Sequence, residues 1–167
     1  MHRLVNDKEE AKTHTDQVEA YGGGQDNMMR VLREIVVRQI ASGAMRGYLA
    51  YVDGVSIGWC NANDKANFPA ENAYGIRLPA PTEKREKLVI CFEIAPEYRG
   101  KGVATALLGR IVADAKTEGY AAVEGFAMKH AERYEWDFTG PARLFEKLGF
   151  TATTSQNGGV IMRKELQ

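Results

Sequence analysis

Only two cysteines occur in the 167 residues, Cys60 and Cys91. Each sits in an apolar, strand-like run, which favours reduced core thiols over a disulfide-stapled secreted scaffold. Histidine is equally scarce. His2, His14 and His130 are scattered, without the close pairs or cysteine companions that zinc requires, so no metal is expected. Charge of one sign is missing as well: 22 acidic and 22 basic residues cancel. A neutral chain has no whole-protein field to attract nucleic acid or an anionic membrane, and neither is expected as a partner. No apolar run approaches the roughly 18 residues of a membrane span. The first ten residues, MHRLVNDKEE, lack the apolar centre of a signal peptide. Internal repeats and low-complexity tracts are absent. A chain of this length is expected as one domain, residues 1–167, soluble, cytoplasmic and able to bury its own core.

What the chain does contain is organised around residues 88–115. Leu88-Val89-Ile90-Cys91-Phe92-Glu93-Ile94, closed by Ala95-Pro96, has the branched and aromatic content of a strand buried on both faces. Tyr98-Arg99-Gly100-Lys101-Gly102-Val103-Ala104 follows. Apolar residues then recur at Val103, Leu107, Leu108, Ile111, Val112 and Ala115, the spacing of an amphipathic helix. A strand, a glycine-rich turn and a helix together aim backbone N–H groups and a helix dipole at an anion. The segment predicts a phosphate site. Two common phosphate loops are excluded by single letters: a dinucleotide fingerprint would need glycine where Thr105 stands, and a nucleotide-triphosphate loop would need Lys-Ser/Thr after Gly102.

Around this centre the chain alternates helices and strands. Residues 7–20 predict a polar helix with Asp7 as N-cap, broken by Gly22-Gly23-Gly24. A second helix from Asp26 carries Met28, Val31, Leu32, Ile35, Val36 and Ile40 on one face and ends at Ser42-Gly43. Gly47 to Asn61 predicts a hairpin turning at Asp53-Gly54. Residues 62–86 have no steady period and carry Pro69, Pro79 and Pro81, which predicts a long loop whose charged tail, Glu83 to Lys87, is solvated. A strand over Tyr120–Met128, an interruption over 129–138, a short helix after Pro141 and a last hairpin around 156–159 complete the order. The fold class is α/β, a mixed sheet flanked by helices.

Arg99-x-x-Gly102-x-Ala104 resembles the acetyl-CoA pyrophosphate motif of the GNAT superfamily of N-acyltransferases, and Ala142-Arg143-Leu144-Phe145-Glu146-Lys147-Leu148-Gly149-Phe150 resembles that superfamily's A-x-L-Y-E-K-L-G-F. The resemblance covers residues 88–150 well and Gly47–Asn61 loosely. It implies a mostly antiparallel sheet whose central strands, carrying Glu93 and Glu124, splay apart around a pantetheine arm. It also implies acetyl-CoA as co-substrate, held by Ile94, Ala95, Arg99, Gly100, Lys101, Gly102, Val103, Ala104 and Thr105, and an amine as acceptor. It leaves homodimerisation open. The superfamily's tyrosine acid is replaced by Phe145, and an asparagine common in that motif by Thr139.

Acyl transfer to an amine needs proton removal from nitrogen and, where available, an acid for the leaving thiolate. Glu93, the one charged residue between Leu88 and Ala95, is the candidate base, its proton affinity raised by burial. Glu124 on the neighbouring strand is the second carboxylate, able to hold an ammonium. Tyr134 and Tyr98 are candidate replacements for the acid. Each of these also has a bland account: a salt bridge, or packing. Cys91 has no histidine near it in sequence to activate it as a nucleophile. Glu132, Tyr134, Glu135, Trp136 and Asp137 suggest either an amine-binding lip or an exposed loop. A non-catalytic acyl-CoA-binding module and a generic phosphate-binding domain stay open beside the enzyme.

Overall fold

Residues 8–68, 77, 80, 82–128, 138–156 and 158–166 are described by the structure, a computed structural model. Asp7 and the segment 129–137, with Tyr134 and its acidic and aromatic neighbours, lie outside the described residues, as does most of 69–81. The chain divides into two compact units, one of residues 1–45 and 67–79, the other of 46–66 and 80–167.

In the first unit, helices α1 (Lys8–Ala20) and α2 (Gly24–Ser42) pack together. Val31 and Ile35, one turn apart, are fully buried and meet Val18, Leu32, Val36 and Met45. The apolar face is narrower than its spacing predicts, because Met28 and Ile40 are half exposed. Gly43, with φ 77°, closes α2 in the left-handed conformation, its N–H donating to the Ile40 carbonyl. Neither described helix is long and apolar enough to cross a membrane.

The second unit is a six-stranded sheet of order β1-β2-β3-β4-β6-β5: β1 Gly47–Val52, β2 Val55–Asp64, β3 Glu86–Ile94, β4 Ala122–Met128, β5 Thr151–Gln156 and β6 Gly159–Glu165. Every neighbouring pair is antiparallel except β3–β4. The expected Asp53-Gly54 hairpin turn joins β1 to β2, with Asp53 at φ 49°. Helices α3 (Val103–Thr117) and α4 (Ala142–Glu146) share one core cluster with the sheet. Leu107, Leu108, Ile111 and Ala115 meet Val89, Val123, Phe145, Val160 and Met162 there. Full burial of each large apolar side chain contributes about 1.5–3 kcal/mol.

Two features set β3 apart from the other strands. Its parallel ladder to β4 runs only from Glu86↔Ala122 to Val89↔Gly125, so the two strands diverge beyond that point as the resemblance implied. On the other side, Asn61 pairs with Cys91 but Ala62 pairs with Val89, which leaves Ile90 as an extra residue, a β-bulge. Side chains alternate across a strand, so an unbroken β3 would put Glu93 on the same face as Val89, in the helix-packed core. The bulge shifts the phase. Phe92 joins Val89 in the core, and Glu93 is exposed.

The strands also run further than the sequence pattern predicts. β2 continues to Asp64 and leads into a 3-10 turn, Lys65–Asn67, while β3 starts at Glu86. Glu86 and Lys87, expected as a solvated tail, are buried. The reason is pairing. Lys87 Nζ meets Glu118 Oε2 at 2.8 Å, and Glu86 accepts from Lys65 Nζ at 3.0 Å and from Arg163 Nη1 at 2.8 Å.

Candidate active site

The divergence of β3 from β4 opens a cleft of about 830 Å³ in the second unit. Ser56–Trp59 of β2, Phe92–Ala95 at the end of β3, the turn residues Tyr98–Gly100 and Gly102–Thr105, and part of the 138–147 segment line it, with Met128 at the end of β4. Phe138 is stitched to β3 by a hydrogen bond from the Phe92 N–H to its carbonyl, 2.6 Å long.

At the α3 end of the cleft the turn is built for an anion. Gly102, at φ 85°, is the N-cap of α3, and no side chain caps the helix. The first intrahelical bond there is the Ala106 N–H to the Gly102 carbonyl, so the N–H groups of Val103, Ala104 and Thr105 have no acceptor within the helix. Gly100 is also left-handed, at φ 76°, and a side chain added at either glycine would meet no protein atom within 4 Å. The space in front of this turn is open to a ligand, and a side chain at Gly102 would enter it. Arg99 folds back so that its Nε donates to the Ile94 carbonyl at 3.0 Å, fixing the guanidinium beside the strand end. Of the nine residues expected to hold the co-substrate, eight line the cleft: Ile94, Ala95, Arg99, Gly100, Gly102, Val103, Ala104 and Thr105. Lys101 is not among the lining residues; its ammonium sits 5.4 Å from the centre of the Tyr98 ring. The residues present fit a diphosphate.

The two carboxylates part company. Glu93 lines the cleft, beyond the point where the strands separate, and among the described residues is the one acidic side chain that does so. It is exposed, so the burial on which its candidacy as a base rested is absent. Glu124 is in register with Leu88, before the separation, and is not a cleft residue. It is 2 % exposed and carries a structural load instead. Arg163 Nη1 lies 2.6 Å from its Oε1, and Lys65 Nζ lies 2.7 Å from its Oε2, an ion pair by distance though off the axis that a hydrogen bond needs. Lys65, Glu86, Glu124 and Arg163 thus form a four-member charge cluster that joins the turn after β2 to β3, β4 and β6. Burial alone would push the Glu86 carboxyl up, but the hydrogen bonds from Arg163 and Lys65 prevail and hold it below the usual carboxylate range. The expectation of two carboxylates facing the gap is corrected to one.

The missing acid is visible as packing. Phe145 is fully buried, edge-to-face with Phe92 at 6.3 Å and with Phe150 at 5.3 Å. Its ring lies against Gly125, where an added Cβ would stand 2.5 Å from Cε1. Phe145 is not a lining residue of the cleft. Tyr98 is one, half-buried at the mouth of the turn. Cys91 is half-buried, unpaired to Cys60, and absent from the cleft lining; burial and the neighbouring Cys91 push the Cys60 thiol up. Reading the sequence missed Arg143 and Lys147, which line the cleft from α4 and its C-cap. Their i, i+4 spacing within the motif was the available signal.

Likeness to known proteins decides the family. The model of the acetyltransferase (GNAT) family matches residues 12–150. The chain belongs to the GNAT acetyltransferase family. Among solved structures, it is similar to a protein from Desulfovibrio desulfuricans assigned to this family, at 16 % identity and a TM-score of 0.56, over 96 % of this chain and 94 % of that one. It is similar also to the PaiA N-acetyltransferase of Thermoplasma acidophilum, solved in complex with coenzyme A, at 18 % identity and a TM-score of 0.51, over 83 % of this chain and 70 % of that one. A third, YncA of Salmonella typhimurium, solved with acetyl-CoA, aligns at 16 % identity and a TM-score of 0.52 over 82 % of this chain and 74 % of that one. These three likenesses show the GNAT fold. No curated protein matches the chain in sequence.

Proposed function

We propose that this acetyltransferase moves the acetyl group of acetyl-CoA to a primary amine, taken as that of a small molecule, by direct attack in a ternary complex. The observation that carries the reading is the cleft itself. An uncapped helix N-terminus with glycines facing open space stands at one end, and the carboxylate of Glu93 stands in the same cleft. The diphosphate of CoA is held by the N–H groups of the Gly102–Thr105 turn and the guanidinium of Arg99, with the helix dipole aligned toward it. The pantetheine arm then follows the gap between β3 and β4. Holding both substrates there supplies much of the rate, since fixing two reactants in attack geometry removes the entropic part of the barrier.

Glu93 accepts a proton from the ammonium form of the acceptor. The amine nitrogen attacks the thioester carbonyl carbon, the C–S bond breaks, and the CoA thiolate leaves; the second proton that the nitrogen gives up as the amide forms passes to that thiolate or to solvent. Phe145 cannot donate to that sulfur. A thiol whose pKa is near the 8.5 of free cysteine is a fair leaving group without an acid. Tyr134, outside the described residues, and Tyr98 stay second candidates for the proton.

A non-catalytic acyl-CoA-binding module is the rival, favoured by the burial of Phe145 and by the withdrawal of Glu124 into an ion-pair cluster. One experiment separates them. Incubation with acetyl-CoA and a panel of small amines, with a lysine peptide included, is followed by thiol release. Turnover with any member is expected. Saturable CoA binding without release from any of them would favour the module.

A further inference from the structure

We infer that Arg143 and Lys147 form a second anion subsite that binds the 3′-phosphate of the co-substrate, so that the protein selects CoA over its 3′-dephospho form. The inference rests on the acyl-CoA reading and goes beyond it, to a phosphomonoester that the glycine-rich turn does not serve.

The chain as a whole is neutral, yet the described residues that line the cleft include three basic side chains, Arg99, Arg143 and Lys147, against the single carboxylate of Glu93. Arg99 and the uncapped N–H groups of α3 account for one diphosphate. Arg143 and Lys147 are surplus to that site. They come from a different element, one helical turn apart, with the Lys147 N–H donating to the Arg143 carbonyl at 3.2 Å, so both side chains project from the same side. Both are exposed, and neither side chain has an ion-pair partner among the described residues. Glu146, the acid between them in α4, is not a lining residue of the cleft.

CoA carries its negative charge at two places on one ribose, the 5′-diphosphate and the 3′-phosphomonoester. A ligand whose diphosphate sits at Gly102 must place the second group at an adjoining part of the same cleft. A guanidinium offers paired N–H donors to phosphate oxygens, and an ammonium adds a point charge. Acetylation chemistry does not need these two residues, because the 3′-phosphate is remote from the thioester. Their contribution is to affinity.

The test is calorimetric titration of the full chain with CoA and with 3′-dephospho-CoA. The unaltered protein is expected to bind CoA about tenfold more tightly, the scale of one or two partly exposed charge-assisted contacts. That preference should shrink as salt is raised. Arg143→Ala with Lys147→Ala should weaken CoA to the level of the dephospho form and leave the latter unchanged, while Arg143→Lys should keep most of the preference. Equal affinities in the unaltered protein would overturn the subsite, as would a double variant that weakens both ligands alike. A protein that binds neither ligand would overturn the acyl-CoA reading along with it.

Discussion

Gly102 and Glu93 show what single residues can decide here. Gly102 holds φ 85° at the N-cap of α3, where a non-glycine residue is strained and where a side chain would enter open space in the cleft. Gly102→Glu places a carboxylate at the proposed diphosphate position. Saturable CoA binding is expected to be lost in a variant that keeps its circular dichroism, and retained micromolar affinity would remove the turn from the site. Glu93→Gln keeps size and exposure but cannot take a proton. Turnover should fall about 10²–10⁴-fold, the range for loss of a general base, with acetyl-CoA affinity nearly unchanged; full activity at every pH would dismiss Glu93. Phe145 tests the opposite expectation. Restoring the tyrosine of the family motif puts a hydroxyl among Phe92, Phe150 and the backbone of Gly125. A buried, unpartnered hydroxyl costs about 1–3 kcal/mol, so Phe145→Tyr should lower the denaturation midpoint without raising kcat. A gain in kcat would mean that the ring can turn into the cleft.

Among the elements, β3 was the most legible and also the most misleading. Its existence, its burial and the glycine turn after it follow from the run Leu88–Ile94 and Pro96, and the structure has them. The bulge at Ile90 does not follow, because a continuous apolar run carries no period from which a phase shift could be read. Glu93 was therefore expected buried and is exposed. The β2 and β3 extensions were hidden for a different reason. Asn61, Asn63, Lys65, Glu86 and Lys87 are polar, and burial of such residues depends on partners far away in sequence, such as Arg163 and Glu118. That cluster predicts a pH-dependent stability. Glu86 is held below its ordinary value when folded, so its contribution is complete above the ordinary carboxylate range, about pH 4.3. It is lost as pH falls through the lowered folded value. Lys65→Met leaves two buried carboxylates, Glu86 and Glu124, sharing Arg163. Removing one partner of a buried ion pair costs about 3–5 kcal/mol. Urea midpoints at pH 7 should show that loss, and the gap to the unaltered protein should narrow toward pH 4 as the Glu86 carboxylate, no longer held by Lys65, takes up a proton. A gap that is constant with pH would show that Lys65 acts by packing alone.

At the scale of the whole molecule, the remaining question is whether acetyl passes directly between two bound substrates or rests on the protein. A covalent route needs a nucleophile in the cleft with a base to activate it. Cys91 is the one half-buried thiol, and it does not line the cleft. Cys60 is buried, its thiol pushed up by burial, so the thiolate that attacks a thioester is disfavoured. Among the described lining residues the hydroxyls are Ser56, Tyr98 and Thr105, and no histidine accompanies them there. The glycine turn and Glu93 instead line one and the same cleft, of about 830 Å³. Direct transfer therefore predicts a sequential kinetic pattern. Double-reciprocal plots of rate against acceptor at several fixed acetyl-CoA concentrations should intersect, and mass spectrometry of the protein after acetyl-CoA alone should show no acetyl adduct. Cys91→Ala should keep both binding and turnover. Parallel lines together with an acetylated protein would mean that acetyl is carried covalently, and the amine would then have to be read as attacking that adduct rather than acetyl-CoA.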